Sequence, residues 1–288
     1  ASVTVSSTYD FRVVNVIANE GTFNIENNSN LLQTNNVANT GTGITNVTRN
    51  SSSLFRLDYT LWSSPVSGSQ SLQSFSPLTT SNRFYEYLPS TDKYSAVLAA
   101  GTFDLAKGYL IRMPNNLSST VASSWTGTFS GTPNNGTFTH TLSTDLSGYN
   151  AVGNPYPSPI SISAFFTENS GIQQTLYFWR KRNGAAGSGY ATTNSLGLVS
   201  AQVSVNGLDM QNTIKPGQGF FVKSEGATAL TFTNSMRTNT TSTPFLRTAT
   251  STELHRFWLN LSTATGVVGQ TLIGYTTGAG QGFDDGLD

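Results

Sequence analysis

DYTLWSSPV (58–66) and GYNAVGNPY (148–156) decide the fold when they are set side by side. They align without a gap, Tyr59 against Tyr149 and Pro65 against Pro155, each pair 90 residues apart. Outward from this anchor the correspondence continues in the same order. RFYEYL (83–88) matches TLYFWR (175–180), both aromatic-rich, and Tyr94 matches Tyr190 just past a turn-rich stretch. FDLAKGYLIRM (103–113) matches IKPGQGFFVKS (214–224): a glycine, two bulky residues, an aliphatic and a cation in each. TGTFSG (126–131) then matches LTFTNS (230–235). The spacing changes only where loops would absorb insertions or deletions, so the pattern reads as one β-module written twice, over 51–145 and 146–247.

The second copy runs on as GYNAVGNPYPSPI (148–160), with Pro155, Pro157 and Pro159 on alternate positions. Each proline fixes φ and removes a backbone donor, which excludes a helix or a central strand and makes a rigid elbow. Such an elbow suits the rim of a site or a piece of scaffold. Its first proline recurs in the other copy as Pro65, which favours the turn leaving a first core strand.

Helical periodicity is almost absent, and SISAFFTEN (161–169) is the best helix candidate. Short β-rich runs recur instead: FRVVNVI (11–17), GTFNIEN (21–27), GYLIRM (108–113), WTGTFSG (125–131), GTFTHTL (136–142), TLYFWRK (175–181), GFFVKS (219–224), ALTFTNS (229–235), RFWLNLS (256–262) and QTLIGYT (270–276). Separated by Asn, Gly, Ser and Pro, they predict an all-β chain of tandem duplicated β-sandwich, jelly-roll-like modules. Residues 1–50 are Asn- and Thr-rich with close polar turns, the texture of a β-solenoid-like rung or cap, since stacked Asn side chains satisfy corner amides. Residues 248–288 read as two paired strands of a further, truncated β unit. The opening ASVTV, without Met or signal peptide, suggests a processed or excised chain.

Composition narrows the function. Charged residues are only 10% of the 288 and the formal net charge is zero. The sole basic run, Arg180-Lys181-Arg182, reads as a solvated loop, so no nucleic-acid partner is expected. No cysteine is present, which excludes disulfides, thiolate nucleophiles and Cys-based metal sites. No apolar run reaches the ~18–20 residues of a membrane-spanning helix.

The only histidines, His140 and His255, sit in strand-like contexts, and no G-x-S-x-G elbow or H-E-x-x-H accompanies them. No carboxylate pair can be picked out for glycoside hydrolysis, and the Gly-rich pieces lack the strand–loop–helix context of phosphate sites. A non-enzyme without a cofactor is therefore expected. Asp284, Asp285 and Asp288, on a Gly-rich turn, form the only dense carboxylate group and the candidate Ca²⁺ ligands. Trp62, Trp179 and Tyr177 are the candidate carbohydrate-binding aromatics, weighed against core packing at matched repeat positions.

The stretches DYTLWSSPVSG (58–68), RFYEY (83–87), GYLIR (108–112), GTPNNGTF (131–138), NAVGNPYPSPI (150–160), LYFW (176–179), GQGFFVK (217–223), NSMR (234–237), RFWLNLS (256–262) and QTLIGYTTGAGQGFDDGLD (270–288) occur in one order. Together they resemble large surface and secreted proteins of Bacteroidota (Flavobacterium-like) exported by the type IX secretion system. The resemblance is to the β-rich region ahead of the C-terminal sorting domain. Ala151, Val152, Pro159 and Leu287 depart from the usual residues, and the sorting domain itself is missing. The resemblance implies secretion to the cell surface across the outer membrane, a translocon partner during export, and adhesin-like or gliding-related roles. It supplies no catalytic residues. A structural and adhesive module is the leading expectation, with surface glycans as candidate partners and a carbohydrate-binding module as the alternative.

Overall fold

The computed structural model describes residues 1–181, 188–194, 197–200, 213–239, 256–263 and 266–274. Strand makes up 45% and helix 7%: the chain is all-β.

The N-terminal segment carries β1 (Ser2–Val5), β2 (Asp10–Val13), β3 (Thr22–Ile25), β4 (Asn30–Gln33) and β5 (Ile44–Asn50). β1, β3 and β5 pair in parallel, placing Ser2, Thr22 and Ile44 in one row, while β2 pairs in parallel with β4. Successive rungs are tied by polar side chains. Asn46 donates to Asn24 at 2.9 Å, Asn35 to Asn15 at 2.6 Å, and Asn30 to Asp10 at 2.9 Å. The strand expected over 11–17 stops at Val13, where its partner β4 reaches Gln33. These strands do not close into a solenoid; β11 and β7 complete the sheet, β11 lying antiparallel to β5.

The first copy supplies β6 (Tyr59–Trp62), β7 (Val66–Ser67), α1 (Leu72–Phe75), β8 (Phe84–Leu88), β9 (Lys93–Ala96), β10 (Tyr109–Arg112) and β11 (Thr126–Pro133). The second supplies β13 (Tyr149–Gly153), β14 (Ile160–Ser161), α2 (Ile162–Glu168), β15 (Thr175–Lys181), β16 (Ser188–Asn194), β17 (Gly197–Ser200), β18 (Thr213–Ile214), β19 (Gly219–Lys223) and β20 (Ala229–Phe232); β12 (Phe138–Thr141), inside the bounds expected for the first copy, pairs with β20 of the second. The four-stranded sheet runs β6-β10-β8-β9, and the five-stranded one β13-β19-β15-β16-β17. Strands matched by sequence position occupy matching places in the two orders, β6, β10, β8 and β9 against β13, β19, β15 and β16, with β17 additional. The pairing of β5 with β11 also returns as that of β12 with β20.

Both helices start alike. Ser71 and Ser161 accept from the N–H three residues on, capping α1 and α2. α2 buries Ile162, Phe165 and Phe166, one face of a 3.6-residue period. Its end is tied to β20 by Asn169, which donates to Thr231 O at 3.0 Å and accepts from Thr231 N–H at 2.8 Å.

Three apolar clusters fill the molecule. One lies under the N-terminal strands, with Ile25, Val47, Phe84, Ile111 and Phe129. Another lies beneath α2, with Phe165, Phe178, Phe220 and Phe232. The third lies between the two repeat sheets, built from Leu61, Tyr87 and Leu110 of one and Ala151 and Phe221 of the other. β21 (Arg256–Thr263) and β22 (Gly266–Gly274) pair as the antiparallel hairpin expected there.

Candidate functional site

The two sheets are joined by bonds that each copy returns to the other. Ser63 N–H donates to Gly217 O at 3.0 Å, and its equivalent Gly153 N–H donates to Ala106 O at 2.9 Å. The bridge Trp62↔Gln218 is likewise matched by Lys107↔Val152, its counterpart by repeat position. The copies are thus related by an approximate two-fold axis. Ser63 and Gly153 meet close to it: a Cβ added to Gly153 would collide with the Ser63 side chain.

Residues 151–160, the proline elbow, are all buried. Asn154 Nδ2 donates to Ser158 O at 2.8 Å and Ile214 O at 3.0 Å, and its Oδ1 accepts from Tyr156 N–H at 2.9 Å. Ser64, the first-copy equivalent, accepts from Val66 N–H at 3.2 Å in the same turn. The elbow also reaches outside its own copy. Pro157 O accepts from Leu31 N–H of the N-terminal segment at 2.9 Å, and Pro155 O from Asn134 Nδ2 at 2.9 Å. Arg237 lies over the Tyr156 ring at 4.9 Å and donates to Ser158 Oγ, Asn135 Oδ1 and Leu31 O. The elbow is scaffold at the junction of all three segments.

Two buried guanidiniums lean on carbonyls there. Arg49 donates to Glu26 O and Ser29 O at 2.9 and 2.7 Å, and burial pushes its pKa down to about 9. Burial likewise lowers Arg237 to about 10. Lys215 falls to about 8, through burial and then the Arg49 charge.

The candidate sugar-binding aromatics are separated. Trp62 is 1% exposed, ringed edge-on by Phe75, Trp125 and Phe129 at 5.4, 5.9 and 6.0 Å. It offers no face to a ligand, which corrects the sequence-based expectation. Alternation along β6 turns Tyr59 and Leu61 toward the other sheet and Trp62 away, beneath the N-terminal strands. Trp179 and Tyr177 lie half-buried on the inter-sheet side of β15. The Trp179 indole donates to Tyr59 O at 3.0 Å and meets Tyr190 edge-on at 5.4 Å. Tyr177 donates to Gln173 at 2.5 Å and meets Tyr149 at 5.3 Å.

The layer continues through Tyr87 and Tyr94, edge-on to Phe221 at 4.9 and 6.2 Å. Burial raises the pKa of Tyr87, Tyr94 and Tyr190, because the apolar layer penalises phenolate. These hydroxyls are neutral donors at pH 7. Tyr87 donates to Asp92.

Beside the layer, Lys107 Nζ sits 2.6 Å from Glu86 Oε2 and 3.3 Å from Asp104 Oδ2, and Tyr109 donates to Asp104 at 2.9 Å. Burial works against the ammonium, but Glu86, Tyr109 and Asp104 outweigh it and raise the Lys107 pKa. His140 holds Nδ1 3.2 Å from Leu105 O on the loop before β10. Among the described residues no group of three or more His, Asp or Glu could hold a metal. Asp284, Asp285 and Asp288, and His255 with them, lie outside the described residues.

Sequence reasoning missed one row. Arg112, the last residue of β10, stands across from Tyr59 on β6, and its N–H donates to Arg83 O at 3.2 Å on the other side. Tyr59 on β6, Arg112 on β10 and Arg83 just before β8 therefore lie side by side, at the end of the inter-sheet space. Tyr85 completes the group, edge-on to Tyr59 at 5.9 Å and 3.2 Å from Arg83 Nη1. Only register brings these residues together; the one signal in the sequence is the cation closing GYLIR.

Fold and site define an all-β protein with a duplicated strand order and an aromatic layer between its two repeat sheets. The chain belongs to the family described as Domain of unknown function (DUF8693), which matches residues 1–288. No curated protein and no solved structure matches it.

Proposed function

We propose that this chain is a non-catalytic structural and adhesive module of a secreted cell-surface protein, delivered by the type IX secretion system. The reciprocal bonding of the two copies carries the reading: Ser63 N–H to Gly217 O and Gly153 N–H to Ala106 O. In this reading the tandem jelly-roll-like units, 51–145 and 146–247, are fused into one body by their shared aromatic layer. Residues 1–50 are a solenoid-like cap held by Arg49, Arg237 and the elbow, and 248–288 begins a further unit. A body locked at its centre transmits load between neighbours, which suits a stalk or adhesin.

The test displays the chain on beads and measures attachment to abiotic and polysaccharide-coated surfaces, alongside a hydrolysis screen on the same polysaccharides. Attachment without turnover is the expected result, and polysaccharide cleavage by the pure protein would overturn the reading. Export is tested by capture of the translocon with the secreted precursor. The carbohydrate-binding alternative is favoured by one observation, the half-buried Trp179 beside Tyr190, which is 40% exposed.

A further inference from the structure

The geometry points to an oxyanion-binding site at Arg83 and Arg112, flanked by Tyr59 and Tyr85, that takes the carboxylates of an acidic polysaccharide. The inference rests on the adhesive reading and names the ligand class for it. Two guanidiniums on residues paired backbone to backbone, as Arg112 and Arg83 are, repel each other unless an anion lies between them. Among the described residues neither is ion-paired: the three salt bridges belong to Arg12 and Lys107.

Their hydrogen bonds engage one terminal nitrogen of each fork, and the Arg112 Nε is buried without a partner. Arg83 uses Nη1 alone, toward Asn82 O and Tyr85, and Arg112 uses Nη2 alone, toward Thr80 at 2.7 Å and Asn115 at 3.4 Å. Both side chains are half-buried, so an anion there is partly shielded from water and the attraction is stronger than at an open surface. Arginine's planar fork matches a carboxylate in two-pronged fashion, and a tyrosine ring beside it offers its face to the apolar C–H side of a sugar ring.

The second copy supplies the control. Thr175 and Lys223 stand where Arg83 and Arg112 do, Lys223 across from Tyr149 and Thr175 two residues before Tyr177 on β15. The same strand order is built there without an arginine pair, so the fold does not require one. The pair is private to the first copy, unlike the shared tyrosines.

Titration of the whole chain with oligogalacturonate, a sulfated dextran fragment and a neutral cello-oligosaccharide tests the assignment, with Arg83→Gln, Arg112→Gln and Lys223→Gln variants. The oligogalacturonate is expected to bind, to weaken roughly tenfold or more with either arginine variant, and to weaken with added salt. Lys223→Gln should bind as the parent does. Binding of the sulfated fragment through the same two arginines would support the oxyanion chemistry with sulfate as a second source. Failure of both acidic oligomers, equal binding of the neutral one, or indifference to both arginine variants would overturn the site. Should a Gln variant lose its native circular dichroism, inorganic sulfate competing against oligogalacturonate on the parent chain decides instead: competition supports the site and its absence overturns it. A chain that still attaches to surfaces but binds no acidic oligomer keeps the adhesive reading and loses this one.

Discussion

Replacing Asn154 by alanine removes three hydrogen bonds from a fully buried side chain. The Tyr156 N–H is left without its acceptor, and the carbonyls of Ser158 and Ile214 each lose a donor. A stranded buried donor costs about 1–3 kcal/mol and each lost neutral bond about 0.5–1.5, so the total is about 4 kcal/mol. Ser64 occupies the same turn in the first copy but bonds only to Val66, as donor at 2.7 Å and acceptor at 3.2 Å. Its alanine variant should cost about 2 kcal/mol. Urea unfolding followed by both tryptophan fluorescence and far-UV circular dichroism measures the two, with coincident transitions and an unchanged m-value as the condition for comparing midpoints. Equal losses for Asn154→Ala and Ser64→Ala, or an Asn154→Ala loss under about 1 kcal/mol, would refute Asn154 as the residue that holds the elbow rigid.

Other expectations follow from the same contacts. Gly153→Ala places a methyl against the Ser63 side chain and should cost about 1–3 kcal/mol in thermal or urea unfolding. Adding Ser63→Gly should recover most of that loss, because the two positions meet at the axis; a purely additive double variant would deny the contact. Burial lowers the His140 pKa, the Leu105 carbonyl raises it, and Lys107 lowers it further, leaving it below the ordinary value. The unfolded chain then binds the proton more readily, so stability is full above about pH 6.5 and falls as the pH drops through that range. His140→Gln should flatten this acid limb; an unchanged limb would place the titration elsewhere.

Much of the fold could be read in advance, for physical reasons that differ by element. The repeat survived because each copy needs the same glycine before its central strand and the same proline after its first. Gly108 and Gly219 both face backbone of the opposite copy, where a Cβ would press on Val152 O and Leu61 O. The helix over 162–168 announced itself through Ser161 and the apolar spacing of Ile162, Phe165 and Phe166. Trp62 was misread because both faces of β6 are covered, and alternation cannot tell which neighbour covers which face. The strand over 44–50 hides a similar trap. Thr45, Val47 and Arg49 point inward while Ile44 is 45% exposed, a choice set by the rung beneath and by the carbonyls waiting for Arg49. The arginine pair was out of reach for the same reason: cross-strand register, not spacing along the chain, puts Arg83 beside Arg112.

The joining of the two copies is tested most directly by hydrogen exchange at four amides of the native chain. Ser63 and Gly153 donate across the axis, while Leu110 and Val222 lie inside the two repeat sheets. A fused body predicts that all four exchange slowly and with one common opening free energy. Exchange of Ser63 and Gly153 at the rate of exposed amides, with Leu110 and Val222 still protected, would mean that the copies separate freely and would contradict the account.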